Sequence, residues 1–180
     1  MLKDSHTIYF RLVEESDAEF IHSLRIDSTY NKYLSKVDDD VEKQRQWIID
    51  YKKRELNNDE YYYIIHRKDN QAPIGTLRIY DFQPESNSFC WGSWILNEDK
   101  TRYAALECAM RVYEYAFEEL NYNRCHMDIR KENVGVIAFH KRFGIQIYDE
   151  TEIDYYAYLY KEDYLKVKDE FNAFLDSNIK

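Results

Sequence analysis

The alternation of strand-like and helix-like segments is the feature that most constrains how this chain folds. Segments of period two predict strands, and apolar residues three and four apart predict helices. Over 180 residues the order is β, α, α, β, β, β, α, β, α, β, β, α, which predicts an α+β fold with a mixed sheet. The predicted strands are Thr7–Leu12, Glu60–His66, Pro73–Asp81, Ser88–Leu96, Arg124–Ile129, Ile145–Thr151 and Asp154–Tyr160, and the predicted helices are Asp17–Arg25, Val41–Asn57, Ala104–Leu120, Asn133–Arg142 and Lys161–Asp176.

Local signals define the first two helix starts. Ser16-Asp17-Ala18-Glu19 matches a capping box and predicts a helix that begins near Asp17. The acidic run Asp38–Asp40 precedes the second helix, where negative charge favours the positive end of the helix dipole. Only four Gly and two Pro interrupt the chain. With no low-complexity linker or internal repeat, we expect residues 1–180 to form one domain.

Composition excludes several functional classes. The net charge of −9 argues against nucleic-acid binding and against an anionic membrane surface. No segment approaches the roughly 18 apolar residues of a membrane span. Cys90, Cys108 and Cys125 lie in apolar segments at spacings that match no zinc pattern, so we expect buried thiols in a cytoplasmic protein and no metal site.

A strand, a polar loop and a helix across Trp91–Leu120 form the most informative unit. A helix N-terminus offers unpaired N–H groups and the positive end of a dipole, which favour a pyrophosphate. Lys100 and Arg102, just before the predicted helix, add positive charge. Many loops carry two basic residues by chance, so this signal is weak by itself.

The same unit resembles the acetyl-CoA-binding region of GNAT acyltransferases. The resemblance rests on Gly92-Ser93-Trp94-Ile95-Leu96, on Glu107 with Tyr115-Ala116-Phe117, and on Asn133 followed by Ala138-Phe139-His140-Lys141-Arg142-Phe143-Gly144. It implies a mostly antiparallel central sheet, flanked by helices and splayed in the middle for acetyl-CoA. It also implies an acetyl-CoA-dependent N-acetyltransferase. The residues that it assigns to acetyl-CoA binding are Trp94, Ile95, Leu96, Lys100, Thr101, Arg102, Tyr103, Ala104, Ala105, Asn133 and Phe139.

Two positions depart from the family pattern. Thr101 and Tyr103 stand where the family loop has glycines, which permit positive φ and close approach to a ligand. Either the loop follows another path and still points N–H groups at the phosphates, which we favour, or CoA binding is weakened or lost. His140 stands where many family members carry a tyrosine that protonates the leaving thiolate. Imidazole also supports acid–base chemistry near pH 7, but a half-buried structural histidine is an equal alternative.

The general base is harder to assign. His126, Asp128 and Arg130 alternate on one face of their predicted strand, so Asp128 or His126 could accept a proton or hold the substrate amine. An ordinary polar strand face explains the same pattern. Glu85 could act through water, although a solvated turn explains it better.

The resemblance leaves the acceptor open. It favours an amino group on a nucleotide-linked sugar of surface-polysaccharide synthesis, whereas the acidic surface suits a polyamine or a protein N-terminus. A non-catalytic module that kept the fold is the alternative from another class. The aromatic hairpin Ile153–Tyr160 makes a homodimer plausible.

Overall fold

The computed structural model describes residues 1–179 and contains one seven-stranded sheet with five α-helices. The strands are β1 (Ile8–Leu12), β2 (Tyr61–Arg67), β3 (Pro73–Gln83), β4 (Ser88–Leu96), β5 (Arg124–Arg130), β6 (Gln146–Glu150) and β7 (Asp154–Tyr160). The helices are α1 (Ala18–Ile26), α2 (Val41–Leu56), α3 (Ala104–Glu114), α4 (Val134–Lys141) and α5 (Lys161–Asn178). Every predicted element is present, with ends that differ by a few residues.

The strands lie in the order β1-β2-β3-β4-β5-β7-β6. All neighbours are antiparallel except β4 and β5, which run parallel. Their parallel pairing is limited to two positions, Ser88 opposite Arg124 and Phe89 opposite Cys125. The two strands therefore separate beyond Phe89, which confirms the predicted mixed, mostly antiparallel sheet that opens in its middle.

Alternation along β2 shows how the sheet is covered. Tyr62 and Ile64 point to one face and pack with residues of α1 and α2. Tyr63 and Ile65 point to the other face, into the larger core that includes α3 and α5. Cys90, Cys108 and Cys125 are buried free thiols, as predicted.

Two local predictions need correction. The capping box is formed by Glu14 and Asp17 around the short 3-10 turn Glu15–Asp17, and Ser16-Asp17-Ala18-Glu19 does not form it. Asp17 is recruited because its carboxylate binds the Glu14 N–H and the Arg11 guanidinium at 2.7–2.8 Å. The predicted helix Ala104–Leu120 is not uniform, since it passes into a π-helical turn at Tyr115–Glu119.

The predicted acidic start of the second helix is confirmed, because Asp40 caps α2 by accepting from the N–H groups of Glu42 and Lys43.

The β6–β7 hairpin forms the end of the sheet beside β5. All five residues of β6 are exposed, and Tyr148 stacks on Tyr158 with ring centroids 4.2 Å apart. Within residues 1–179, no helix has both the length and the apolar character needed to cross a membrane.

Candidate functional site

The gap between β4 and β5 is a cavity of about 140 Å³. Both strands contribute walls, and α4 and the segment that connects α1 to α2 close it. The predicted site residues Trp94, Asp128, Asn133 and His140 all line this cavity. Its other lining residues are Tyr33, Leu34, Trp91, Gly92, Ser93, Met127, Ile129, Arg130 and Val136.

A bulge in β4 produces the opening. Ser93 has φ of 46°, in the left-handed region, and the register between β3 and β4 shifts beside it. Gly75 on β3 allows the distorted strand to approach, because a Cβ at that position would lie 2.0 Å from the Ile95 carbonyl oxygen. Ile95 and Leu96 pair with β3 on one side, while β5 does not pair with them on the other. This free edge of β4 fits an extended amide chain such as pantetheine.

The loop before α3 follows a path that requires no glycine. Positive φ values in the described chain all fall outside residues 97–105, and Tyr103 has φ of −111°. Thr101 instead forms part of a network, because its Oγ1 lies 2.6 Å from Thr7 Oγ1. Thr7 also donates its backbone N–H to Glu107, a fully buried carboxylate on α3, at 2.7 Å. The threonine at the glycine position therefore connects the loop to Thr7, just before β1, and through Thr7 to α3.

The same loop presents donors to an anion. The backbone N–H groups of Thr101, Arg102 and Tyr103 donate no hydrogen bond within residues 1–179. Ala104 and Ala105 open α3; the Ala104 N–H donates to the Thr101 carbonyl at 3.2 Å, whereas the first N–H groups of a helix, such as that of Ala105, lack partners within it. Lys100 and Arg102 are exposed beside them. This donor set fits a pyrophosphate.

The residues predicted for the pantetheine arm have observable structural roles. Asn133 caps α4, with its side chain accepting from the Val136 N–H at 3.4 Å, and it also lines the cavity. Trp94 Nε1 is buried and has no hydrogen-bond partner in the described chain. Phe139 packs against Trp94 with ring centroids 5.5 Å apart and is not among the residues that line the cavity.

His140 lies in the wall of the cavity and is buried. Its Nδ1 is 3.1 Å from the hydroxyl of Tyr113, which is itself fully buried. Trp91 and Phe139 pack edge-on against the imidazole. Burial lowers the pKa of His140 to about 4, so the ring is neutral near pH 7.

The two candidate bases on β5 differ in their surroundings. Asp128 is exposed and lines the cavity. His126 is on the same strand face but outside that cavity, where Ser88 Oγ lies 2.6 Å from its Nδ1 and Asp81 lies 2.8 Å from its Nε2. A catalytic role for His126 stays a prediction. Glu85 is exposed in the turn between β3 and β4.

Sequence reasoning missed the contribution of the segment between α1 and α2. Tyr33 and Leu34 line the cavity, and Tyr33 Oη donates to the Glu132 carbonyl at 3.0 Å. A second cavity of about 290 Å³ lies under this segment and adjoins the first at Ser93, which lines both. The signal that could have indicated this contribution is the presence of aromatic residues in the otherwise polar sequence between α1 and α2. No group of three or more His, Cys, Asp or Glu side chains within residues 1–179 is placed to hold a metal ion.

Comparison with known proteins identifies the architecture. A model of the acetyltransferase (GNAT) domain matches residues 7–146. The chain is also 27% identical over 152 residues to the probable N-acetyltransferase YjcK of Bacillus subtilis, which covers 80% of this chain and 82% of that protein.

Solved structures agree with this result. Apo FdhC, described as a nucleotide-linked sugar GNAT, superposes with a TM-score of 0.88 at 46% identity over 97% of this chain and 98% of that one. The spermidine N-acetyltransferase of Vibrio cholerae, in complex with CoA and spermine, has a TM-score of 0.76 at 17% identity over 89% of this chain and 99% of that one. That second likeness is one of fold. The chain therefore belongs to the GNAT acetyltransferase family and is an acetyl-CoA-dependent acyltransferase.

Proposed function

We propose that this enzyme transfers an acetyl group from acetyl-CoA to the amino group of a nucleotide-linked sugar. The observation that carries the proposal is the 46% identity, over nearly the whole chain, to a nucleotide-linked sugar GNAT. The transfer forms an N–C bond, breaks an S–C bond and moves a proton from nitrogen to sulfur. Acetyl-CoA supplies the acyl group as an activated thioester.

Two parts of the described chain, the free edge of β4 and the loop before α3, support binding of acetyl-CoA. The free edge of β4 at Trp94, Ile95 and Leu96 would bind the pantetheine amides as an added strand. The free N–H groups of Thr101, Arg102 and Tyr103, together with the Lys100 and Arg102 side chains, would bind the pyrophosphate. Asn133, Ala104, Ala105 and Phe139 complete the predicted set.

Asp128 is the residue we propose to hold and deprotonate the acceptor amine. Its carboxylate is exposed to the cavity, whereas both ring nitrogens of His126 are occupied by Ser88 and Asp81. The β4 backbone near Leu96 would polarise the thioester carbonyl by hydrogen bonding. Holding amine and thioester together supplies much of the rate.

We propose that His140 donates a hydrogen bond to the departing sulfur and assists its protonation. With its pKa near 4, the ring is neutral near pH 7 and would act as a hydrogen-bond donor, with the imidazolium form rare. The proton that leaves the amine can then reach the sulfur with His140 orienting the transfer. A tyrosine at this position would preserve a donor.

Local charge favours an anionic acceptor over a polyamine, the alternative that the acidic surface suggested. The second cavity, which adjoins the reaction cleft at Ser93, is lined by Arg25, Lys36 and Arg78. Cations beside the cleft disfavour a polycation and favour phosphates. The non-catalytic alternative depended on the missing glycines, and the loop forms without them. Homodimer formation through the β6–β7 hairpin stays a prediction.

A thiol-release assay with a panel of amines tests this function. Acetyl-CoA is supplied with nucleotide-linked amino sugars, spermidine and a peptide with a free N-terminus. We expect CoA release with a nucleotide-linked amino sugar and background rates with the other two. Faster turnover of spermidine or the peptide would contradict the proposal, and no detectable binding of CoA at millimolar concentration would contradict the acetyl-CoA site.

A further inference from the structure

The second cavity is cationic although the protein as a whole carries a net charge of −9. Arg25 reaches it from α1, Lys36 from the segment before α2, and Arg78 from β3. Its remaining lining residues are Ser35, Val37, Gln44, Trp47, Tyr62 and Ser93. No Asp or Glu of residues 1–179 lines it. A positively charged cavity in a negatively charged protein favours an anionic ligand.

Nearby carboxylates do not neutralise this charge. Arg78 Nε donates to Glu60 Oε2 at 2.6 Å, but the same carboxylate also receives Arg54 Nε at 2.6 Å. Neither Arg25 nor Lys36 forms an ion pair with any described residue. Glu60 is therefore shared by two arginines, whereas Arg25 and Lys36 have no paired carboxylate, so the lining of the cavity carries positive charge in excess. A bound anion would supply the missing counter-charge.

The walls also contain donors without acceptors. Arg25 Nη2 donates to the carbonyl and hydroxyl oxygens of Ser35 at 2.8 and 2.9 Å, which fixes the guanidinium, while its buried Nε has no partner in the described chain. Tyr62 is 2% exposed, and its Oη likewise has no partner there. Buried polar groups in native proteins are normally satisfied by protein, water or ligand. These two atoms are therefore consistent with a site that a polar ligand completes.

The position of the cavity relative to the cleft suggests what the ligand is. Ser93 lines both cavities, so an acceptor whose amine lies beside Asp128 can extend past Ser93 to Arg25, Lys36 and Arg78. We propose that this cavity binds the diphosphate of the acceptor. The inference rests on the proposed function, since it assigns the anionic part of a nucleotide-linked amino sugar to named residues.

Binding of uridine diphosphate and thymidine diphosphate, measured by calorimetry with the CoA site saturated by CoA, tests the assignment. Lys36→Glu and Arg25→Gln should each weaken binding by about tenfold or more, because each removes a cation from a partly enclosed anion site. Lys53→Glu, an equal charge change at an exposed position of α2 outside this cavity, should leave binding within about twofold. Equal binding by wild type, Lys36→Glu and Arg25→Gln would overturn the inference.

Tyr62→Phe provides a variant that should fold normally, because it removes a hydroxyl that has no partner in the described chain. We expect unchanged or higher stability and diphosphate binding that is weaker by about threefold. Diphosphate binding equal to wild type, in a folded variant, would count against a role of this hydroxyl in the site.

Kinetics separate failure of this inference from failure of the proposed function. Lys36→Glu should raise the KM for a nucleotide-linked amino sugar by about tenfold, while kcat/KM for the same amino sugar without its nucleotide stays within about twofold. If wild type acylates the nucleotide-linked sugar and Lys36→Glu and Arg25→Gln leave its KM unchanged, this inference is wrong and the function stands. If wild type acylates no nucleotide-linked amino sugar, the proposed function is wrong and this inference falls with it.

Discussion

Tyr113 Oη lies 3.1 Å from His140 Nδ1 inside a shell of aromatic rings, although the two residues are 27 positions apart in the sequence. Trp91 packs edge-on against both the phenol and the imidazole, and Phe143 covers the phenol. The pair joins α3 to α4 beside the cavity between β4 and β5, which His140 lines. Exclusion of water keeps the imidazole neutral, and this has consequences for both stability and catalysis.

Acidification should destabilise the wild-type protein more than His140→Gln. The pKa of His140 is about 4 when folded and 6.5 in its ordinary state, so between these values the unfolded chain binds a proton that the folded chain does not. The stabilisation is complete above pH 6.5 and is lost as pH falls towards 4, at about 1.4 kcal/mol per pH unit. Between pH 7.5 and pH 5, the free energy of unfolding measured with urea should fall by about 2 kcal/mol more in wild type than in His140→Gln. Tyr113→Phe retains the histidine, so it should lose as much stability on acidification as wild type. Equal losses of stability for wild type and His140→Gln would contradict the prediction.

His140→Ala should reduce kcat far more than it reduces CoA affinity. The side chain lines the cavity in which we propose that the reaction occurs, so its removal should cost about 100-fold in kcat if it assists proton transfer. His140→Tyr should keep part of the activity, because a phenol also donates a hydrogen bond. Steady-state kinetics together with calorimetry of CoA binding measure both quantities. A structural role would be indicated if kcat changed only in proportion to folded fraction.

Asp128→Asn should lower kcat by about 100-fold while the KM for acetyl-CoA stays near that of wild type. The change keeps the shape of the side chain, which lines the cavity, but removes the carboxylate that we propose as the proton acceptor. Asp149→Asn, on the exposed strand β6, is the matched control and should keep full activity. If both variants turned over at the wild-type rate, another residue would have to be the base.

Thr101→Gly should lower the stability of the folded protein, even though glycine is the residue typical of the family loop. Thr101 has no positive φ to relieve, and its hydroxyl connects to Thr7. Loss of that hydrogen bond and the greater freedom of glycine should together cost about 1–2 kcal/mol in the free energy of unfolding. Thr101→Ser keeps the hydroxyl and should lose much less. Chemical denaturation distinguishes the three proteins, and a more stable glycine variant would refute the described loop.

Gly75→Ala should be strongly destabilising, by about 3 kcal/mol or more, because the added Cβ would collide with the Ile95 backbone. Activity should fall in the same variant, since that contact shapes the bulged end of β4. Gly135→Ala is the matched control, because nothing lies within 4 Å of its Cβ position. Alanine there should be neutral or stabilise α4 by up to about 1 kcal/mol. Thermal unfolding of the two variants compares them directly.

The order of elements was predictable because apolar periodicity is a local property. The three-tyrosine run of β2, for example, alternates between the two sheet faces as its period requires. The position of the cleft followed from the family resemblance over Gly92–Leu96. The capping box was misplaced by two positions because Asp17 serves Arg11, a residue of the neighbouring strand, and sequence spacing does not contain that partner.

The remainder of the site depends on contacts between distant parts of the chain. The loop before α3 needs no glycine because Thr7, the residue just before β1, lies beside Thr101, and sequence spacing does not contain that contact. The cationic cavity combines Arg25, Lys36 and Arg78 from three separate elements, so no single segment displays it. The low pKa of His140 likewise arises from burial, which periodicity in an eight-residue helix does not reveal.

The separation of β4 from β5 divides the sheet into two parts that share only two paired positions. A bound acyl-CoA would take the place of the strand missing between them and would join the halves across the gap. Ligand occupancy then contributes to folding by mass action, by about 2.7 kcal/mol at a hundredfold excess over the dissociation constant. The lifetime of this enzyme against proteolysis should therefore follow the supply of its own co-substrate, so that a cell short of acyl-CoA would lose the catalyst as well as the substrate.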